Sequence, residues 1–229
     1  MSSAPIIGIT KPDNKDFLAY CALWLSVKIA GGRPIVLSAS HEGYEGVTID
    51  GLLLGGGKDV FPGRYNQPPK EDYIYDPDRD EMEVFWAERA KEENIPTLGI
   101  CRGAQLINVV CGGSLHMSVS DAYEDAHYPD GILHNIFYRK KIMIHENCPL
   151  YDILKRTELD VNSIHKQAIA VLGEGLEINA RENNGVIQAV SLKDHPMYLG
   201  VQFHPEFLIH RKIFRSLFRA LVVKAGEKS

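Results

Sequence analysis

Over the first hundred residues, short apolar runs alternate with longer segments whose apolar positions recur at helical spacing. "IIGIT" at Ile6–Thr10 reads as a strand. "KDFLAYCALWLSVKIAGG", residues 15–32, reads as a helix stopped by Gly31-Gly32, with an apolar stripe broader than one face requires. "RPIVLS" is a second strand, and "DGLLLGGG" a third that runs into a glycine loop. Asp78-Arg79-Asp80-Glu81 opens the next helix, with an acid three residues before a glutamate as in a capping box. That helix extends to Asn94, Pro96 closes it, and Thr97–Ile100 is the next strand. Strands alternating with helices predict βαβ units and a largely parallel sheet.

The second half reads differently. Residues 117–135 mix Ser, Asp, His, Pro and Gly without periodicity and predict a long loop. Residues 139–145 predict a strand and Pro149–Leu154 a short helix. "LEINARE" and "VIQAVSL" flank Asn183-Asn184-Gly185, a hairpin signal because Asn and Gly tolerate positive φ. "MYLGVQFH" is the last strand, and residues 209–224 form a closing helix. The expectation is a single α/β domain over residues 1–225. Its mostly parallel central sheet is flanked by helices and carries an antiparallel hairpin in the C-terminal half. Residues 226–229 are expected to fray.

Composition narrows the function classes. The chain has 229 residues, 45% of them hydrophobic, which suffices for one sizeable core. The formal net charge is -5, and the basic clusters at Arg139-Lys140-Lys141 and around Arg211, Arg215 and Arg219 read as solvated faces. A nucleic-acid surface is therefore not expected. "MSSAPIIGIT" has no basic leader region, and no window approaches the ~20 apolar residues of a membrane span. Cys21, Cys101, Cys111 and Cys148 form no C-x-x-C pair, so a reduced, cytoplasmic protein is expected rather than a disulfide scaffold or zinc site.

Cys101 stands where a strand stops and a helix begins. "GICRG" places Gly99 two residues before it and Gly103 two after, the G-x-nucleophile-x-G form of a nucleophile elbow with Cys in place of Ser. The helix N-terminus aimed at the sulfur favours thiolate over thiol. Cys111, near a helix end before Gly112-Gly113, has no such setting. A cysteine nucleophile needs a base, and the base an orienting group. "VQFHPEF" offers His204 and Glu206, which an extended chain projects to one side. Carboxyl ends of parallel strands share one sheet edge, so Cys101 and His204 can meet there. For an oxyanion hole, one N–H comes from Arg102 and another from the loop after "DGLLL", with Gly57 ranked over Gly56.

"GICRGAQ" with a late "FHPE" resembles the class I glutamine amidotransferase-like hydrolases. Within these it is most similar to the peptidase C26 group, which includes gamma-glutamyl-gamma-aminobutyrate hydrolases of polyamine and putrescine breakdown. "DGLLLGGGKDVFPGRY", "DPDRDEME", "IPTLGICRGAQLINVVCGGSLH", "VNSIHKQAI" and "LGVQFHPE" fall in the family's order across nearly the whole chain. The resemblance implies a flavodoxin-like fold and a triad of Cys101, His204 and Glu206. It implies that Gln105 contacts the glutamyl end and that residues 162–168 line the pocket, with Ser163, His165 and Gln167 as substrate contacts. Gly55 departs from the family's usual proline, and Lys166 is a second point of variation. The far side of the pocket is expected from residues 65–80 and 122–134.

The implied chemistry is hydrolysis of a gamma-glutamyl amide through a thioester. It calls for no metal or organic cofactor, and a small-molecule amide is the expected partner. A homodimer is compatible with the chain. Three alternatives remain open: a glutaminase subunit feeding ammonia to a partner synthase, a DJ-1-like cysteine protein, and a non-catalytic binding module. In the DJ-1-like case a histidine often follows the cysteine, whereas here Arg102 does.

Overall fold

The computed structural model describes residues 3–11, 17–40, 44–71, 74–126, 128, 138–163 and 165–228. Its strands are β1 (Ile6–Thr10), β2 (Arg33–Leu37), β3 (Gly51–Leu54), β4 (Thr97–Ile100), β5 (Ser114–His116), β6 (Lys140–Ile144), β7 (Glu158–Val161), β8 (Ala168–Val171), β9 (Leu176–Glu182), β10 (Ile187–Leu192) and β11 (Tyr198–Val201). Its helices are α1 (Phe17–Ile29), α2 (Pro77–Glu92), α3 (Arg102–Val110), α4 (Val119–Ala122), α5 (Pro149–Leu154) and α6 (Lys212–Lys228).

A nine-stranded sheet runs β2-β1-β3-β4-β11-β10-β9-β6-β7. The β2 to β11 half pairs in parallel. From β11 onward the pairing is antiparallel, so the expected hairpin of β9 and β10 is part of a larger antiparallel wing that includes β6 and β7. β5 and β8 form a separate two-stranded ribbon.

β3, β4 and β11 are buried at every position because helices cover both faces. Side-chain alternation divides them between two cores. Leu53, Leu98, Ile100, Leu199 and Val201 face α1 and α6. Leu52, Leu54 and Tyr198 face Met82 and Trp86 of α2 and Leu106 and Ile107 of α3. α1 buries only Leu23, Ser26 and Val27, and Phe17, Leu18, Leu25 and Ile29 are exposed, which accounts for its broad stripe.

Several sequence expectations change. α2 is capped by Asp76, whose carboxylate accepts the Arg79 N–H at 3.4 Å, with Pro77 in the first turn; the box at Asp78 is not the cap. α4 interrupts the expected loop, of which residues 127 and 129–135 lie outside the described residues. The closing helix starts at Lys212, because a 3-10 turn at Pro205–Leu208 comes first. It continues to Lys228, so the segment expected to fray is drawn as helix as far as residue 228, and buried Leu221, Val222 and Ala225 hold the helix's C-terminal half against the sheet. Among the described residues no helix is long and apolar enough to cross a membrane, and none of the four cysteines is joined in a disulfide.

Candidate active site

At the carboxyl end of β4 the chain turns sharply. Cys101 has φ 52 and ψ -104, an unfavourable backbone state for a residue with a Cβ. Two sets of bonds hold it there. Its N–H donates to Val201 O at 2.8 Å, continuing the sheet, and its carbonyl accepts from Ala104 N at 3.0 Å, beginning α3. The flanking glycines make the turn feasible. A Cβ at Gly99 would lie 2.6 Å from Gly103 O, and one at Gly103 would overlap the Leu54 carbonyl. α3 therefore rests directly on β3 and β4, with its N-terminus at the sulfur.

β11 lies beside β4 in parallel, with Val201 opposite Ile100, so the chain after β11 arrives at Cys101. β11 ends at Val201, however, and the expected extended path through His204 and Glu206 is replaced by a turn. His204 has φ -107 and ψ 81, and Glu206 sits in the 3-10 turn that Pro205 begins. The turn still brings the two side chains together: His204 Nδ1 is 2.7 Å from Glu206 Oε1. Glu206 is 2% exposed. Burial, the largest influence on the His204 ring, disfavours its charge. The Glu206 carboxylate, the Cys101 sulfur and hydrogen bonds to both outweigh burial and hold the ring well above its usual value. Cys101, His204 and Glu206 thus form one contiguous trio.

Gln202 is a contact the sequence reading missed. Its Nε2 donates to Cys101 Sγ at 3.5 Å, and its Oε1 accepts from Gln105 Nε2 at 3.2 Å. The signal was the parallel register: the residue after Val201 must stand beside the residue after Ile100.

The glycine loop lies across the trio. A Cβ built at Gly56 would be 3.0 Å from His204 Cε1 and 3.8 Å from Cys101 Cβ. The Gly55 N–H is committed to Thr10 Oγ1 at 3.1 Å. Arg102, in the first turn of α3, has an N–H that no intrahelical carbonyl can reach.

The residues expected to touch substrate are placed differently from the trio. Gln105 is 3% exposed and donates to Gln167 O at 2.9 Å as well as to Gln202. The Gln167 amide is fully buried and clamps Val60 N and Val60 O, at 3.0 and 3.2 Å, and Tyr65 OH at 3.0 Å. Ser163 Oγ bonds Gln188 Oε1 at 3.0 Å. His165 Nδ1 donates to Gln167 O at 2.7 Å, and its Nε2 faces Gln188 Nε2 at 3.3 Å. Burial first, then nearby His204 and Lys140, pull that ring down to about 4 against the Gln167 carbonyl, so it is neutral, and it packs against the Tyr128 ring at 4.7 Å with the two planes tilted by 42°. These four side chains bond to protein partners and hold the walls of the site. Of the expected far wall, residues 72–73, 127 and 129–134 lie outside the described residues. Among the described residues no group of three or more His, Cys, Asp or Glu could hold a metal ion.

The strand-to-helix cysteine elbow thus lies on a parallel sheet beside a histidine-acid pair in the turn that follows the neighbouring strand, and the fold is that of class I glutamine amidotransferase-like proteins. Among solved structures, the glutaminase domain of Trypanosoma brucei CTPS with bound acivicin aligns over 98% of this chain and 95% of its own, with TM-score 0.71 and 15% identity. The chain belongs to the Peptidase C26 family, which matches residues 5–206. It is 31% identical over 217 residues to gamma-glutamyl-gamma-aminobutyrate hydrolase PuuD of Escherichia coli K12, covering 87% of this chain and 84% of that protein. It is 30% identical to a glutamine amidotransferase-like protein of Rickettsia prowazekii, covering 97% of this chain and 98% of the relative.

Proposed function

We propose that this member of the family hydrolyses a gamma-glutamyl amide, with Cys101 as nucleophile, His204 as base and acid, and Glu206 as the group that orients the imidazole. The observation that carries the reading is the strained Cys101 elbow with its sulfur hydrogen-bonded to a ring that Glu206 holds at 2.7 Å. Cys101 attacks the γ-carbonyl carbon, and the oxygen becomes an oxyanion facing N–H groups of Arg102 and of the loop at Gly56 and Gly57. The C–N bond breaks as His204 gives its proton to the departing amine. A water then attacks the thioester carbon, losing its proton to His204; the C–S bond breaks, the Cys101 sulfur leaves as thiolate, and glutamate departs. The amine is γ-aminobutyrate, a polyamine or a similar small amine, in keeping with the named relative in E. coli.

The test is glutamate release by this chain alone across a panel of gamma-glutamyl amides. Robust turnover without any added protein is expected. Activity on glutamine alone, and only after a synthase is added, would instead mark an ammonia-supplying subunit.

Glu206→Gln separates orientation from chemistry. The amide keeps the shape and an acceptor, and removes the carboxylate that raises His204. We expect kcat to fall about 10,000-fold, short of the roughly million-fold loss that follows removal of the nucleophile. The alkaline limb of kcat/KM, which follows deprotonation of the imidazolium, should move to lower pH because the ring loses its raising partner. A variant with wild-type kcat and an unmoved limb would remove Glu206 from the trio.

A further inference from the structure

α2 turns three charged side chains into the protein rather than into solvent. Arg79, Asp80 and Glu83 are 2%, 0% and 0% exposed, and Arg102 of α3, which joins them, is 1% exposed. Unpaired charges would be very costly there, and the four cancel as two cations and two anions. Arg79 Nε is 2.8 Å from Glu83 Oε1. Arg102 pairs with the second Glu83 oxygen through Nη1 and with Asp80 through Nη2. The other Asp80 oxygen accepts the Phe61 N–H at 2.9 Å.

Arg79 has a second arm. Its Nη2 donates to Gly56 O at 2.9 Å and faces Gly55 O at 3.4 Å. In a trans peptide the N–H points opposite the carbonyl, so the N–H groups of Gly56 and Gly57 turn away from the guanidinium. The loop lies between Arg79 and the trio. A Cβ on Gly57 would overlap Arg79 Nη1, whereas one on Gly56 would approach His204 and Cys101. Gly57 has φ 145, a conformation that suits glycine and lets the chain fold over the guanidinium.

We propose that Arg79 is the positioning residue of the oxyanion hole: it grips the carbonyls of Gly55 and Gly56 so that the following N–H groups face the reacting oxygen, and through Glu83 it locks that loop to Arg102, which carries the other donor. The inference rests on the hydrolase reading above. A guanidinium is required because Nε and Nη2 must serve Glu83 and the loop simultaneously in a fixed plane. A lysine keeps the charge and loses the fork.

The experiment compares wild type with Arg79→Lys on two reactions at Cys101. Hydrolysis of a gamma-glutamyl amide builds an oxyanion. Alkylation by iodoacetamide displaces iodide at a saturated carbon and builds none. We expect kcat for hydrolysis to fall about 10- to 100-fold, less than the ~100- to 1,000-fold for deleting a donor outright, with KM within about threefold. The alkylation rate of Cys101 should stay within about threefold of wild type. Parallel loss of both reactions would mean that Arg79 only holds the fold, and would overturn the proposal. So would an undiminished kcat in Arg79→Lys. If that variant does not fold, the double variant Arg79→Gln with Glu83→Gln serves: it removes one cation and one anion together, so the buried cluster stays neutral, and the same selective loss of hydrolysis, with alkylation retained, is expected. Wild-type protein inert to every amide tested would overturn the hydrolase reading and this inference with it. Wild-type turnover matched by Arg79→Lys would overturn this inference alone.

Discussion

Cys101→Ser should reduce amide hydrolysis to background while leaving the thermal unfolding profile close to that of wild type. The substitution replaces one atom, and serine can occupy the same elbow, accept from Gln202 and approach His204. What it lacks is an ionisable sulfur poised beside an imidazolium. Loss of a nucleophile, or of its base, lowers kcat by about a million-fold in a comparable hydrolase triad. A fall of at least about 10,000-fold is therefore expected for Cys101→Ser and for His204→Ala. Iodoacetamide provides a check independent of substrate. Peptide mass spectrometry should find Cys101 alkylated ahead of Cys111 and Cys148, whose thiols burial pushes up. Residual hydrolysis in Cys101→Ser above a few per cent of wild type, or alkylation reaching Cys111 and Cys148 as fast as Cys101, would remove Cys101 from the nucleophile role.

The parts legible in the sequence were those in which one local pattern carries the whole cause. β1, β3 and β4 announce themselves as short apolar runs because the parallel sheet is covered on both faces there. The Cys101 elbow announces itself because close contact between helix and strand permits only glycine on either side. Other parts depend on what arrives from elsewhere in the chain. Arg79, Asp80 and Glu83 look like the solvated first turns of a helix, and only Arg102, brought by α3, makes their burial affordable in charge. Gln105, Ser163, His165 and Gln167 have the polar character of substrate contacts, yet a sequence does not state whether an amide faces a cleft or a carbonyl behind it. β7 was legible and overlooked: Glu158-Leu159-Asp160-Val161 alternates exposed and buried positions as a half-covered strand does. The His204–Glu206 pair was found for a reason the structure revises, since a turn begun by Pro205, rather than an extended strand, sets their contact.

Gly103→Ala should damage both stability and activity, and the elbow explains why the two are linked. The added methyl would overlap the Leu54 carbonyl oxygen and lie 2.8 Å from Leu54 Cβ and 2.9 Å from the Leu54 carbonyl carbon. Flexible side-chain ends can yield, but two of these three atoms are backbone. They belong to a strand buried at every position and paired on both sides, to β1 and to β4. β3 cannot retreat, so α3 must lift. Overpacking of this kind costs about 1–3 kcal/mol, and contacts with fixed backbone place it at the upper end. For a chain of this size that corresponds to a melting temperature lower by about 6–12 °C. Lifting α3 also carries Cys101 and the Arg102 N–H away from His204 and from the glycine loop. A displacement of about 1 Å is enough to lower kcat ~100-fold. Calorimetry and steady-state kinetics on the same preparation measure the two effects together. Gly46→Ala is the control, because a Cβ there meets nothing within 4 Å, and it should change neither quantity. If Gly103→Ala melted and turned over like Gly46→Ala, α3 would not be seated on β3 as the elbow requires, and the placement of Cys101 would need another cause.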